Sequence, residues 1–134
     1  MNDTTSVLKK WHQFVETKDH KILDEILTEE VVFHSPVVWT PQYGKSITKL
    51  YLLAAIEVLG ENHSDFTYTK EIVSKDHLVL EFDTLIDEVG VNGVDMMEIN
   101  TEGKITSFKV MIRPLQAINK VHEKMGELLK RMQS

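Results

Sequence analysis

Between Gly93 and Pro114, two apolar runs flank Asn100-Thr101-Glu102-Gly103, and no other pattern in the chain constrains the fold as much. A short polar loop with a glycine able to take positive φ, bounded by extended-type residues, predicts a β-hairpin. The first run carries one carboxylate, Asp95, among Val94, Met96 and Met97. Either that acid points to water or it is partly buried, and a buried acid is a chemical clue.

The rest of the chain supplies partners for this hairpin. Thr4, Thr5 and Ser6 offer N-cap oxygens ahead of a helix whose apolar stripe is Leu8, Trp11 and Val15, widened by Val7 and Phe14. Asp19 and His20 mark a break, and Ile22, Leu23, Ile26 and Leu27 predict a short second helix. Glu30 to Pro36 reads as a strand ended by a proline that cannot donate to a ladder. Val37 to Tyr43 is a loop in which Trp39 is a candidate lid or a cover for the core.

Lys45 to Leu59 predicts a helix apolar on more than one side and closed by Gly60, followed by a polar turn over Glu61 to Asp65. Extended segments are expected at Phe66 to Val73, His77 to Ile86, Val89 to Asn100 and Lys104 to Arg113. Pro114 suits the first position of a last helix, with Ile118, Val121, Met125, Leu128 and Met132 as its apolar repeat. Two heptads are too few for a free coiled coil, so this helix is expected to pack on the sheet. The order predicts one α+β domain over residues 1–134, a single sheet with helices on one side.

Bulk properties exclude several function classes. The 134-residue chain has 42% hydrophobic and 27% charged residues, ordinary for a globular domain large enough to bury a core. It has no cysteine, which rules out disulfides, thiolate metal sites and cysteine nucleophiles and fits a reducing cytoplasm. A net charge of −6 without a basic cluster argues against nucleic acid. The longest apolar run, Leu50 to Ile56, is too short for a bilayer, and the polar N-terminus has no signal-peptide pattern. The six histidines lack ligand spacing, so neither metal nor cofactor is expected.

The chain resembles the nuclear transport factor 2-like superfamily, most closely its SnoaL-like, polyketide cyclase-like branch. The likeness rests on Trp11 and Lys18-Asp19, Val32-Phe33-His34-Ser35-Pro36, Gly44-Lys45, Gly93-Val94-Asp95, Glu102-Gly103-Lys104-Ile105 and Val110 to Leu115, in this order along nearly the whole chain. The resemblance implies a cone-shaped, curved, mixed or antiparallel sheet wrapped by N-terminal, central and C-terminal helices, a cystatin-like α+β roll. It also implies a homodimer through the outer sheet face. Members of the superfamily include ketosteroid isomerases, dehydratases, epoxide hydrolases, cyclases and non-enzymatic binding modules, so the fold leaves the chemistry open.

On that resemblance, the inside of the cone collects Trp11, Phe33, Ser35, Leu80, Phe82, Asp95, Met97, Phe108, Val110 and Ile112, with Tyr51 and Leu52 completing the wall. Strand alternation independently groups Leu80 with Phe82, Asp95 with Met97, and Phe108 with Val110 and Ile112. The plain alternative is that these side chains simply fill a core. The resemblance places Asp95 where the ketosteroid isomerases keep a protonated aspartate as hydrogen-bond donor. The isomerase general base falls on Ser35, which at its ordinary pKa cannot take a proton from carbon, and the oxyanion-hole tyrosine falls on Trp11. Steroid isomerisation is therefore disfavoured.

Epoxide hydrolysis is disfavoured too. It calls for an arginine where Gly93 stands and an acid on the next strand, yet Lys104 to Leu115 contains none. His34 alternates with Ser35, so one of the two faces away from the cavity, and His34 becomes the acid/base candidate if the strand is rotated. Arg113 is expected to pair with Glu81 or Asp83. The sequence thus predicts a small hydrophobic ligand in an apolar cavity, with acid/base cyclisation, isomerisation or dehydration at Asp95 as one outcome. A non-catalytic ligand-binding or dimerisation module is the other.

Overall fold

A computed structural model describes residues 3–60 and 65–133, so most of the polar turn expected over Glu61 to Asp65 lies outside the described residues. Its elements are α1 (Asp3–Thr17), α2 (His20–Ile26), β1 (Leu27–His34), β2 (Gln42–Tyr43), α3 (Lys45–Leu59), β3 (Thr67–Val73), β4 (His77–Ile86), β5 (Val89–Ile99), β6 (Ile105–Arg113) and α4 (Leu115–Gln133). The strands form one curved, unclosed sheet in the order β2-β1-β6-β5-β4-β3. All neighbours are antiparallel except β1 and β6, which run parallel.

The hairpin at the centre of the sequence pattern is β5–β6. Gly103 takes φ 73° in its turn, and Asn100 Oδ1 accepts the N–H groups of Glu102 and Lys104, each at 3.0 Å. Period-2 alternation holds along β4 and β5, burying Leu78, Leu80, Phe82, Thr84 and Ile86 from one strand and Val91, Gly93, Asp95, Met97 and Ile99 from the other. Gly93 is required for a packing reason. It lies opposite Phe82 across the ladder, and a Cβ there would stand 2.3 Å from the Phe82 ring.

Several boundaries depart from the sequence expectation, and β1 ends at His34 rather than at Pro36. Leu27 begins β1 instead of ending α2: its backbone is extended, and its N–H closes the helix on the Leu23 carbonyl. Thr4, Thr5 and Ser6 lie inside α1, and the buried Thr4 hydroxyl donates to the Lys75 carbonyl at 2.6 Å. The loop before α3 contains the two-residue strand β2, paired with Val32 and Phe33 of β1. Pro114 precedes α4, with a cis Arg113–Pro114 bond, and its carbonyl accepts the Ala117 and Ile118 N–H groups.

The helices cover the concave face. One core cluster joins α1 (Val7, Trp11, Phe14) to Phe33, Leu80, Met97 and Phe108, and a second joins α3 and α4 (Leu59, Ala117, Val121) to Phe82 and Ile86. On the opposite face Arg113 donates to Asn92 Oδ1 at 3.5 Å, and Asn92 in turn donates to Glu81 at 2.9 Å and Asp83 at 2.8 Å. Arg113 therefore reaches both carboxylates through an amide rather than pairing with them directly. No described helix is long and apolar enough to cross a membrane.

Candidate functional site

Asp95 is buried, with 6% of its surface exposed. Its strand neighbours are Leu80 on β4 and Val110 on β6. Tyr68 on β3 stretches over β4 and donates its hydroxyl to Asp95 Oδ2 at 3.1 Å. Above it, the Trp11 indole donates to the Tyr68 oxygen at 2.9 Å. An indole can only donate, so the chain of hydrogen bonds has a fixed direction from Trp11 through Tyr68 to Asp95. Oδ2 is held as an acceptor, and Oδ1 has no hydrogen-bond partner among the described residues.

Burial pushes the Asp95 carboxyl from 3.8 to about 7, against the lowering effect of the Tyr68 hydrogen bond. When the group is neutral its proton sits on Oδ1, because Oδ2 is already accepting. Burial, and then the charge of Asp95, raises the Tyr68 hydroxyl well above its ordinary range, so it remains a donor. His12 packs edge-on against the Tyr68 ring at 5.4 Å and is in contact with Glu71.

A chamber of about 210 Å³ lies elsewhere on the concave face. Its walls are Phe33, Tyr51, Ala55, Leu59, Val110, Ile112, Val121, Met125 and Leu129, with Ser35 to Val38, His122 and Gly126 completing the lining. The topology explains its position. Pairing between β1 and β6 stops at His34 and Lys109, while β6 runs on to Arg113. The uncovered edge of β6 is closed by the loop after β1 and by α4. The same loop separates the chamber from an open outer groove of about 760 Å³, lined by His34, Trp39, Pro41, Lys109 and Met111.

No protein-family model and no curated protein matches the sequence. Solved structures do match. A steroid delta-isomerase from Pseudomonas aeruginosa superposes with a TM-score of 0.91 at 28% identity, over 98% of this chain and 95% of that one. A nuclear transport factor 2-like protein of unknown function from Mesorhizobium loti gives 0.72 at 18% identity, over 84% and 92%. This chain has a nuclear transport factor 2-like fold. A further neighbour, an uncharacterised cystatin-like-fold protein from Silicibacter pomeroyi, gives 0.81 at 23% identity, over 90% of this chain and 83% of that one.

Within this nuclear transport factor 2-like cone, the residues singled out from sequence divide into two groups. Phe33, Ser35, Tyr51, Val110 and Ile112 line the chamber. Trp11, Leu80, Phe82, Met97 and Phe108 are core residues no more than 3% exposed, and Leu52 joins them. Trp11 has its N–H committed to Tyr68. Asp95 belongs to neither wall, but Val110, opposite it on β6, lines the chamber. His34 faces the outer groove, and Trp39 is 97% exposed and covers no core.

Two features escape a reading of the sequence. Tyr68 lies on an edge strand with no alternation of buried and exposed residues, and it meets Trp11 across 57 residues. The α4 wall combines Val121 and Met125 of the predicted apolar repeat with a second stripe, His122, Gly126 and Leu129, that the repeat does not contain. The unbroken four-and-three spacing of that second stripe is the signal that could have found it.

Proposed function

We propose that this nuclear transport factor 2-like protein binds a small, uncharged, mainly apolar molecule in the chamber beneath α4. One observation carries the reading: an interior space of about 210 Å³ whose wall is mainly aromatic and aliphatic, has Ser35 and His122 as its polar side chains, and includes no Lys, Arg, Asp or Glu among the described residues. Clefts for drug-sized ligands run to roughly 300–1,000 Å³, so the occupant is a single ring or a short chain. To test this, para-fluoroacetophenone is titrated into the protein and followed by fluorine NMR. Binding that disappears in Ala55→Leu, which fills the chamber, supports the reading, and no binding by the wild type removes it.

A second reading adds proton transfer, as in cyclisation, isomerisation or dehydration. It is favoured by Asp95, whose carboxyl is raised to about 7 and whose Oδ1 has no partner among the described residues. Asp95 would act as acid or hydrogen-bond donor on a ligand reaching past Val110. Native mass spectrometry of wild type and Asp95→Asn with carbonyl compounds tests it, and identical binding and turnover would take Asp95 out of the mechanism.

The Pseudomonas neighbour is named a steroid delta-isomerase. That activity is not carried over: the base position is Ser35, Trp11 is committed to Tyr68, and the chamber is small for a four-ring ligand. Assignment to the SnoaL-like branch, a cytoplasmic setting and a homodimer through the outer sheet face remain part of the same proposal. The exposed Trp39 and Met111, which line the outer groove, support the dimer.

A further inference from the structure

Gly126 stands in the interior of α4, where glycine is the least favourable helix residue after proline. Such a glycine usually yields space to a neighbouring atom. Here a Cβ would meet nothing within 4 Å. No contact within the described chain calls for the missing side chain, yet the position lines the chamber together with His122 and Leu129, one turn to either side. Its absence leaves a notch in the wall that α4 gives the chamber.

Opposite that wall, Ser35 begins a tight turn. Its Oγ accepts the Val37 N–H at 3.1 Å and the Val38 N–H at 3.3 Å. A serine hydroxyl has two acceptor lone pairs and one proton to donate. Both lone pairs are engaged, and the proton has no acceptor among the described residues. Ser35 is half-buried and lines both the chamber and the outer groove, so on its chamber side the group its hydroxyl still lacks is a hydrogen-bond acceptor.

We infer that the ligand is a small carbonyl compound that enters past Gly126 and accepts a hydrogen bond from the Ser35 hydroxyl. This rests on the chamber being a binding site and specifies its mouth and its polar contact. An alcohol or amine group, which brings its own donor, matches the spent lone pairs of Ser35 less well than a ketone, aldehyde or ester oxygen.

The experiment uses para-fluoroacetophenone and para-fluoro-alpha-methylstyrene, which have the same shape but carry an oxygen and a methylene respectively. Fluorine NMR measures binding to wild type, Ser35→Ala, Gly126→Ala and Gly126→Ile. Ser35→Ala is expected to weaken the ketone by roughly two- to tenfold, the worth of one hydrogen bond, and to leave the styrene unchanged. Equal weakening of both probes would mean that Ser35 matters only for its turn, and would overturn the carbonyl contact.

Gly126→Ala is expected to raise Tm by about 3 °C through helix propensity, with little effect on binding. Gly126→Ile is expected to keep Tm at or above the wild-type value and to slow association of both probes at least tenfold. An unchanged association rate in folded Gly126→Ile overturns the mouth while leaving the chamber reading intact. Wild type that binds neither probe overturns the chamber reading and this inference with it.

Discussion

The Tyr68 hydroxyl donates to Asp95 Oδ2 at 3.1 Å from two strands away, while its oxygen accepts the Trp11 indole N–H at 2.9 Å. Tyr68→Phe removes both bonds at once and leaves a buried indole donor unpaired. A loss of about 1–3 kcal/mol is expected in urea denaturation. The hydrogen bond now lowers the Asp95 pKa, so the variant's carboxyl should titrate above about 7 when followed by carbon NMR. An unmoved titration would show that Tyr68 does not hold the acid.

Asp95 also fixes a pH dependence. Its pKa rises from 3.8 to about 7 on folding, so between these values the folded state holds a proton that the unfolded state has lost. The Asp95 contribution is complete below pH 3.8, falls as pH rises, and is gone above about 7. The slope in that window is about 1.4 kcal/mol per pH unit. Asp24, Asp76 and Asp87 have lowered pKa values and lose their stabilisation only in more acid solution. Stability of wild type minus that of Asp95→Asn should therefore decline across the window, and a flat difference would contradict the burial.

Gly93 and Phe82 make a packing prediction that does not depend on function. A methyl group at position 93 would lie 2.3 Å from the Phe82 ring and force that ring to move. Gly93→Ala should cost about 1–3 kcal/mol, and Phe82→Leu in the same chain should recover part of it. Denaturation midpoints of the two single variants and the double variant give the coupling directly.

Thr48 on α3 is fully buried, and its hydroxyl has no hydrogen-bond partner among the described residues. Thr48→Val keeps the branched shape and removes the desolvated hydroxyl. A gain of up to about 1 kcal/mol is expected, visible as a higher Tm in calorimetry. A loss would reveal a partner for the hydroxyl.

The proposed homodimer is tested on the outer face. Met111 is 50% exposed and lines the outer groove with Trp39, which is 97% exposed. Met111→Lys should turn a dimer into a monomer in solution scattering while preserving the far-ultraviolet circular dichroism. A monomeric wild type at micromolar concentration would remove the dimer from the proposal.

Local patterns carry most of the fold and only part of the site. Lys45–Leu59 and His77–Ile86 have the bounds their periodicity predicts, and alternation places Asp95 on the same face as Met97. β2 is hidden because its two residues owe their extended pairing to β1, not to a pattern of their own. Tyr68 and Asp95 meet through a side-chain reach across β4, which period 2 cannot encode. The chamber depends on β1 ending before β6, a mismatch in pairing length that shows only when the strands are laid side by side.

That parallel seam has a consequence for how the protein is made. Thr28 reaches the Ile105 carbonyl across 77 residues of chain, whereas β4, β5 and β6 join through successive hairpins. Closing a long loop costs entropy before its contacts repay it, so the seam is expected to form after the meander it joins. The chamber straddles the seam, with a wall running from Phe33 to Leu129. A nascent chain still lacking α4 can hold the hairpins, but the chamber is finished only once α4 has been made.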